Sequence, residues 1–332
     1  PAYNAPEGGV YRMRMPDKVK RLHFPRRGLA AGLALFLCLC PTPVCAADGE
    51  PTATGGQSGT PVPAALTEVQ KPEPFDCRGA ILMEAATGQV LYEQNADEAM
   101  PPASVTKIMT LLLVMEAIEA GSLKWDDSVT ASTRASSMGG SQIFLKEGEQ
   151  MPVRDLVKSV VIASANDAAL ALAEAVSGSE EAFVRNMNQR AAELGMKNTH
   201  FTNATGLTDT EHYSSAADMA KLLQAALHNA TFRTIFTAEH YTTTATAQHP
   251  EGVSLTSTLL GKLDGTELPA GTQIEGGKTG YTAAAGLCLA SLATVNGKEY
   301  ILVTLAAPGD HGTEQYNIRD AVQVYQKLAD KK

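Results

Sequence analysis

The sequence predicts an α/β fold of the α+β type, in which an antiparallel five-stranded sheet is flanked by helices and carries an inserted all-helical subdomain. Two observations lead to this prediction. Strand-like segments occur in two groups, around residues 80–92 and 273–306, and a long block of helical patterns separates them. We expect strands from both groups to form one antiparallel sheet, with helices on its faces.

The first two strands are predicted at residues 80–83 and 90–92, on either side of the turn-forming Ala86-Thr87-Gly88. Pro101-Pro102 ends the extended segment, and a helix is predicted from Ser104 to Gly121. Its apolar residues cover more than one stripe, so the helix should be buried. Further helices are predicted at residues 153–162, 167–176, 180–194 and 216–228.

The last third of the chain returns to strand patterns, at residues 273–281, 287–295 and 300–306. Asn296-Gly297 between the last two predicts a tight hairpin. An amphipathic helix is predicted over residues 315–329.

The N-terminal part of the chain has the pattern of an export signal. A basic stretch, residues 12–27, precedes an apolar run, residues 29–40, and the small-residue stretch 44–47. The apolar run is shorter than the roughly 20 residues of a membrane span. We therefore predict three parts: an N-terminal extension and signal peptide (1–46), a flexible linker rich in Pro, Thr, Gly and Ser (47–74), and one folded domain (75–332).

This organisation predicts an extracytoplasmic location, secreted or periplasmic, after signal cleavage. The basic N-terminal segment also allows a peripheral association with a membrane, and an uncleaved anchor is the alternative interpretation. Removing residues 1–46, which carry seven Lys and Arg against two Asp and Glu, changes the net charge from −9 to −14. Such an acidic domain is a poor candidate for binding nucleic acid.

Cysteine and histidine usage excludes two further classes of protein. Of the five cysteines, only Cys77 and Cys288 lie outside the first 46 residues, which excludes a disulfide-framework protein. Both are expected to be small buried residues. The seven histidines form no pair with metal-ligand spacing, so we predict no metal and no cofactor.

Ser104 and Lys107 are three residues apart at a predicted helix start, so their side chains share one face. A serine hydroxyl becomes a good nucleophile when a base removes its proton. Lys107 can be that base if burial or a second cation lowers its pKa far below about 10.4. The Ser104 N–H, at the helix N-terminus, is suited to hold an oxyanion. On its own, however, this four-residue pattern is common in proteins.

A second polar group, Ser164-Ala165-Asn166, lies between two predicted helices. Its functional interpretation is a hydroxyl that relays a proton and an amide that orients a substrate amide. The alternative is an ordinary helix cap.

A third group, Lys278-Thr279-Gly280, lies on a predicted strand. A cation and a hydroxyl there can bind a carboxylate, while Gly280 keeps a side chain out of the cleft. The Tyr281 N–H can complete an oxyanion hole. The alternative is an ordinary lysine on an edge strand.

These three groups, in this order, are typical of penicillin-binding proteins and class A β-lactamases. Residues 101–110 resemble the active-site helix of low-molecular-mass penicillin-binding proteins of the D-alanyl-D-alanine carboxypeptidase family. Residues 164–169 and 278–282 resemble that family's second and third motifs, and the resemblance extends over about residues 77–329. It implies the β-lactamase/transpeptidase-like fold and a serine peptidase that acts in cell wall biogenesis.

The resemblance also implies a mechanism. Ser104 attacks the carbonyl between the two terminal D-alanines of a peptidoglycan stem peptide, and Lys107 accepts its proton. Ser164, together with Lys278, delivers a proton to the departing D-alanine, and water hydrolyses the acyl-enzyme. β-Lactam antibiotics imitate the substrate and acylate Ser104. The substrate-binding residues that the family implies are Asn166, Lys278, Thr279, Gly280 and Tyr281.

Three alternatives to the carboxypeptidase remain at this point. A class A β-lactamase needs a Glu-x-x-Leu-Asn-like loop for deacylation, and the sequence contains none. A β-lactam-binding or cell-wall-binding protein of the same fold would not turn over. A transpeptidase differs only in the acceptor that attacks the acyl-enzyme. The sequence departs from the family at residues 255–260, where many members have an Asn-Thr-Asn-like stretch.

Overall fold

One antiparallel sheet organises the fold, and its strands come from both ends of the described chain. The computed structural model describes residues 75–263 and 265–330. In these residues the strands, in chain order, are β1 (Gly79–Glu84), β2 (Val90–Gln94), β3 (Ser128–Thr130), β4 (Gln150–Pro152), β5 (His240–Thr242), β6 (Ser254–Thr256), β7 (Thr272–Thr282), β8 (Gly286–Val295) and β9 (Lys298–Ala307).

Five of these strands form the main sheet in the order β2-β1-β9-β8-β7. All neighbours pair antiparallel, and β1 pairs with β9 from Gly79↔Leu305 to Glu84↔Tyr300. The predicted hairpin between β8 and β9 is confirmed. Its two turn residues, Asn296 and Gly297, have φ of 51° and 79°, the left-handed values that match the twist of a strand pair. Strand β7 is left at one edge of the sheet.

The helices lie between β2 and β7 and after β9. Side-chain caps mark four of the helix starts, at Ser132, Ser179, Ser215 and Asn229, where each side chain accepts a backbone N–H. In chain order the helices are α1 (Lys107–Glu119), α2 (Thr133–Ser136), α3 (Val153–Ile162), α4 (Asn166–Ser177), α5 (Glu180–Glu193), α6 (Ala216–Leu227), α7 (Ala230–Phe236) and α8 (Tyr316–Ala329).

The sheet buries both of its faces, because alternate residues of β1 enter two different cores. Ile81 and Met83 pack into the larger core, which contains α1, α3, α4 and α6. Ala80 and Leu82 pack into the smaller core beneath α8. Helix α1 is therefore buried in the larger core, as its apolar pattern predicted.

The structure differs from the prediction in three local features. Ser104 lies in a short 3₁₀ turn, Ala103–Thr106, and α1 begins only at Lys107. The inserted block is mostly helical but also holds two ribbons, β3–β4 and β5–β6. Each of their strands is three residues long, too short to give a recognisable alternation. The helices α2 and α7 were also not predicted, because four and seven residues are too few to show a clear helical periodicity.

The predicted signal peptide, residues 1–46, and linker, residues 47–74, lie outside the described residues. Within residues 75–263 and 265–330, no helix is long and apolar enough to cross a membrane. Cys77 and Cys288 are buried and unbridged, as predicted.

Candidate active site

Ser104 is presented by a strained turn at the start of α1. Ala103 has φ of 46°, a left-handed value that a residue with a Cβ rarely adopts. The turn is closed by a hydrogen bond from the Val105 N–H to the Pro102 carbonyl oxygen, at 3.2 Å. Strain of this kind persists only where the surrounding structure enforces it, and it is common at functional sites.

The amine of Lys107 lies directly beside the Ser104 hydroxyl. Lys107 Nζ is 2.8 Å from Ser104 Oγ and donates a second hydrogen bond to the Thr205 carbonyl oxygen at 2.7 Å. The Lys107 side chain is fully buried. Burial lowers the pKa of Lys107 well below its usual value, and the charge of Lys278 lowers it further, while Asp167 acts in the opposite direction. The neutral amine is therefore favoured, which is the form that can take a proton.

The second predicted group, at Ser164, and the third, at Lys278, also form a contact between a serine hydroxyl and a lysine amine. Ser164, in the loop between α3 and α4, has φ of 61° and is buried. Its Oγ accepts a hydrogen bond from Lys278 Nζ at 2.8 Å. Lys278 is also buried, on edge strand β7, and its Nζ donates to the Thr279 carbonyl oxygen at 2.8 Å. Burial lowers the pKa of Lys278 to about 7. The site thus holds two serine–lysine pairs.

Asn166 begins α4 and is fixed by the loop between α2 and β4. Its Nδ2 donates to the Gly139 carbonyl oxygen at 2.6 Å, and its backbone N–H donates to the Ser141 carbonyl oxygen at 2.8 Å. Its Oδ1 is buried and has no hydrogen-bond partner among the described residues. A buried acceptor without a donor costs free energy, so this oxygen is suited to accept an N–H from a bound ligand.

Gly280 brings β7 against the turn that carries Ser104. A Cβ added at Gly280 would lie 2.9 Å from Ser104 N and 3.1 Å from the Pro102 carbonyl oxygen. The glycine therefore allows edge strand β7 to approach the Ser104 amide closely. The sequence predicted that Gly280 keeps a side chain out of the cleft. The neighbouring Thr279 Oγ1 donates to Thr258 Oγ1 at 2.7 Å, and the Tyr281 ring packs edge-on against His311.

Sequence reasoning missed the loop of residues 203–207, which lies behind Ser104 and contacts Lys107. Asn203 Oδ1 accepts hydrogen bonds from the backbone N–H groups of Thr205 and Gly206, at 3.1 and 2.7 Å. The loop supplies the carbonyl oxygen that binds Lys107. Turn-forming Asn203 and Gly206 were the available local signal. What they could not show is that this turn lies against α1.

His212 has a structural role beside the site. Its Nδ1 accepts the Thr202 N–H at 3.0 Å, so Nε2 carries the proton and donates to Thr106 Oγ1 at 2.8 Å. Burial lowers the pKa of His212 to about 4. The imidazole is therefore neutral near pH 7 and connects two segments of the site.

Because Lys278 is buried, we expect the free energy of unfolding to depend measurably on pH. Its pKa is about 7 in the folded protein, against 10.5 as the reference value. Between these values the unfolded chain binds the proton and the folded protein does not, so stability rises with pH. We expect Lys278→Met to remove a slope of about 1 kcal/mol per pH unit from the free energy of unfolding above pH 8. Urea unfolding at pH 8, 9 and 10 measures it.

Lys124→Met is the matched control, because Lys124 is an exposed lysine outside the site. It should leave the slope of the wild type unchanged. An equal slope in wild type and Lys278→Met would mean that Lys278 keeps an ordinary pKa.

Known proteins resemble this chain both in sequence and in structure. The carboxypeptidase DacF of Bacillus subtilis is 45% identical over 233 residues, which are 70% of this chain and 58% of that protein. Penicillin-binding protein D2 of Listeria monocytogenes, in its ampicillin-bound form, has a TM-score of 0.64 at 29% identity and covers 76% of this chain and 97% of its own. A mutant of a Streptomyces DD-transpeptidase has a TM-score of 0.69 at 29% identity, covering 77% and 99%.

The chain thus spans less than two thirds of the length of its Bacillus relative. The solved structures share its fold over about three quarters of its residues. The family model described as D-alanyl-D-alanine carboxypeptidase (peptidase S11) matches residues 66–309, which include all three groups of site residues. The chain therefore belongs to the D-alanyl-D-alanine carboxypeptidase family.

Proposed function

We propose that the protein is a serine-type D-Ala-D-Ala carboxypeptidase that removes the terminal D-alanine from peptidoglycan stem peptides. The observation that carries this proposal is the contact between Ser104 Oγ and the buried Lys107 Nζ, at 2.8 Å. A neutral amine at hydrogen-bond distance from a hydroxyl is a general base in position to activate a nucleophile.

In the first step Ser104 Oγ forms a bond to the carbonyl carbon between the two D-alanines, and its proton moves to Lys107 Nζ. The carbonyl oxygen becomes an oxyanion, for which the backbone N–H groups of Ser104 and Tyr281 are the proposed donors. The close approach of Gly280 to Ser104 N supports this pairing. The unpartnered Asn166 Oδ1 accepts an N–H of the peptide and orients it.

In the second step the C–N bond breaks and the departing D-alanine nitrogen takes up a proton. Ser164 Oγ is the proposed donor, and Lys278 Nζ at 2.8 Å replaces the proton that Ser164 gives. With a pKa of about 7, Lys278 exists in both protonation states near neutral pH, which suits this exchange. Thr279 Oγ1, with Lys278, binds the terminal carboxylate. A water molecule then forms a bond to the ester carbon as the bond from that carbon to Ser104 Oγ breaks. Lys107 returns its proton to Ser104 Oγ, and the proton that the water releases passes through Ser164 to Lys278.

The acceptor in the last step separates the carboxypeptidase from a transpeptidase. Water gives hydrolysis, whereas the amine of a second peptide gives a cross-link. The structural likeness to a Streptomyces DD-transpeptidase makes transpeptidation the second candidate. β-Lactams are proposed inhibitors, since the related Listeria protein has been solved with ampicillin bound.

We also propose that residues 1–46 direct export and that residues 47–74 tether the catalytic domain, residues 75–332. The basic composition of residues 12–27 and the apolar run after them support this division. Such an arrangement would place the enzyme outside the cytoplasm, where peptidoglycan is assembled, with peripheral contact to the membrane through the N-terminal segment.

Incubation with a stem pentapeptide ending in D-Ala-D-Ala tests the proposed function. We expect release of one equivalent of D-alanine and a tetrapeptide product, and no release from the same peptide ending in D-Ala-L-Ala. Adding an amine acceptor, such as a diamino-acid-containing tetrapeptide, tests transpeptidation through the appearance of a cross-linked dimer. Covalent labelling by penicillin without any D-alanine release would support a binding protein instead of an enzyme.

A further inference from the structure

The cleft in front of Ser104 extends beyond the three motifs. It has a volume of about 230 Å³, and its lining includes Ser104, Ser164 and, on edge strand β7, Thr279 and Gly280. Ser141 and Leu287 add to the lining, and the other wall comes from two segments that no motif covers, residues 257–263 and 308–317. Among the described residues that line the cleft, none is Asp or Glu. The residues from the two segments are Thr258, Lys262, His311, Gln315 and Asn317.

The carboxylate of the substrate needs more donors than the third motif supplies. An ionised carboxylate has two oxygens that accept several hydrogen bonds, and a lysine ammonium has three N–H groups. Two of the three on Lys278 are taken by Ser164 Oγ and the Thr279 carbonyl oxygen. Lys278 therefore has at most one N–H left for a substrate.

Thr258 is placed to add a hydroxyl to this set. Its Oγ1 accepts the hydrogen bond from Thr279 Oγ1 at 2.7 Å, so its own hydroxyl proton is free to point elsewhere. Its backbone N–H is held by the Ile162 carbonyl oxygen at 3.2 Å, two residues before Ser164. Thr258 is thus fixed to the last residue of α3, directly before the loop that carries Ser164.

Lys262 adds a cation on the same wall. It ends a 3₁₀ turn, Leu260–Lys262, that begins two residues after Thr258. Its side chain is exposed and lines the cleft, and among the described residues its Nζ donates to Gln315 Oε1 at 2.7 Å. That partner is a neutral amide oxygen, which a carboxylate can replace as the stronger acceptor.

We propose that Lys262 binds the terminal carboxylate of the substrate, beside the hydroxyls of Thr258 and Thr279. This inference rests on the proposed function. It assigns the specificity for a free C-terminus to a residue outside the three motifs. Lys278 then acts mainly on Ser164, while Lys262 supplies the solvent-accessible charge that attracts the substrate.

The test measures the kinetics of D-alanine release from the pentapeptide. It compares Lys262→Met and Lys262→Arg with the wild type and with the control Lys124→Met. We expect Lys262→Met to raise KM roughly tenfold with kcat within about twofold, because a charge-assisted hydrogen bond to the bound carboxylate is lost. Lys262→Arg should keep most of the affinity, and Lys124→Met should behave as wild type.

Salt dependence separates a charge contact from a structural role. Raising the NaCl concentration should raise KM of the wild type and leave KM of Lys262→Met nearly unchanged, because salt screens an exposed charge. The second-order rate of acylation by benzylpenicillin, which also carries a carboxylate, should fall in Lys262→Met by a similar factor.

An unchanged KM and acylation rate in Lys262→Met would overturn the inference, and so would a loss of kcat with the salt dependence intact. Wild-type protein that releases no D-alanine would instead refute the proposed function. In that case the acylation rates still decide whether Lys262 binds a carboxylate.

Discussion

Replacing Ser104 with alanine is expected to abolish covalent labelling by penicillin and to lower the rate of D-alanine release by roughly 10⁴-fold or more. The physical reason is that no other hydroxyl lies at hydrogen-bond distance from the Lys107 amine in the described structure. Fluorescent penicillin on a denaturing gel and a D-alanine assay measure the two effects. Labelling that persists in Ser104→Ala would refute the assignment of the nucleophile.

The fold should tolerate this change, because Ser104 is only half-buried and loses one hydrogen bond, to Lys107. A melting temperature close to that of the wild type is therefore the control for Ser104→Ala. Lys107→Met should cost nearly as much activity. The double variant should be no slower than Ser104→Ala alone, because the nucleophile and its base act as a unit.

The second large effect is expected from Gly206→Ala, which changes the loop behind Ser104. A Cβ at this position would lie 1.8 Å from the Ala103 carbonyl oxygen and 2.9 Å from Thr106 Oγ1, and the residue has φ of 82°. The loop and the turn that carries Ser104 must therefore move apart. We expect a loss of about 3 kcal/mol or more in the free energy of unfolding. We also expect slower acylation by penicillin, since the Lys107 contact with the Thr205 carbonyl oxygen is disturbed.

Gly195→Ala is the matched control for this prediction. Gly195 has a similar φ of 68°, but nothing lies within 4 Å of an added Cβ. It should cost only the strain of a left-handed alanine, about 1 kcal/mol, and leave acylation unchanged. Equal effects of the two substitutions on acylation would show that the contact between Gly206 and Ala103 does not support the site. Urea unfolding and the rate of penicillin labelling distinguish the outcomes.

The sequence predicted the long elements well because their signals are local. The patterns for α3 and for the hairpin at Asn296-Gly297 depend on residues next to one another in the chain. The sequence did not reveal the ribbons β3–β4 and β5–β6, whose strands of three residues are defined by their partners. It also placed Ser104 inside a helix, because the 3₁₀ turn depends on the contacts that Ala103 and Gly206 make.

The sequence predicted which side chains carry chemistry, through three short motifs and their order. Residue type, spacing and the family resemblance together led to the prediction of Ser104, Lys107, Ser164, Asn166, Lys278 and Thr279 as site residues. Only the tertiary structure decided that Lys278 binds Ser164 across 114 positions of sequence, that both lysines are buried, and that Asn166 Oδ1 lacks a partner. A pKa depends on burial and on charges brought close by folding, and a short motif contains neither. Thr258 and Lys262 could not be predicted for the same reason: they belong to no motif, and only folding brings their loop to the cleft beside β7.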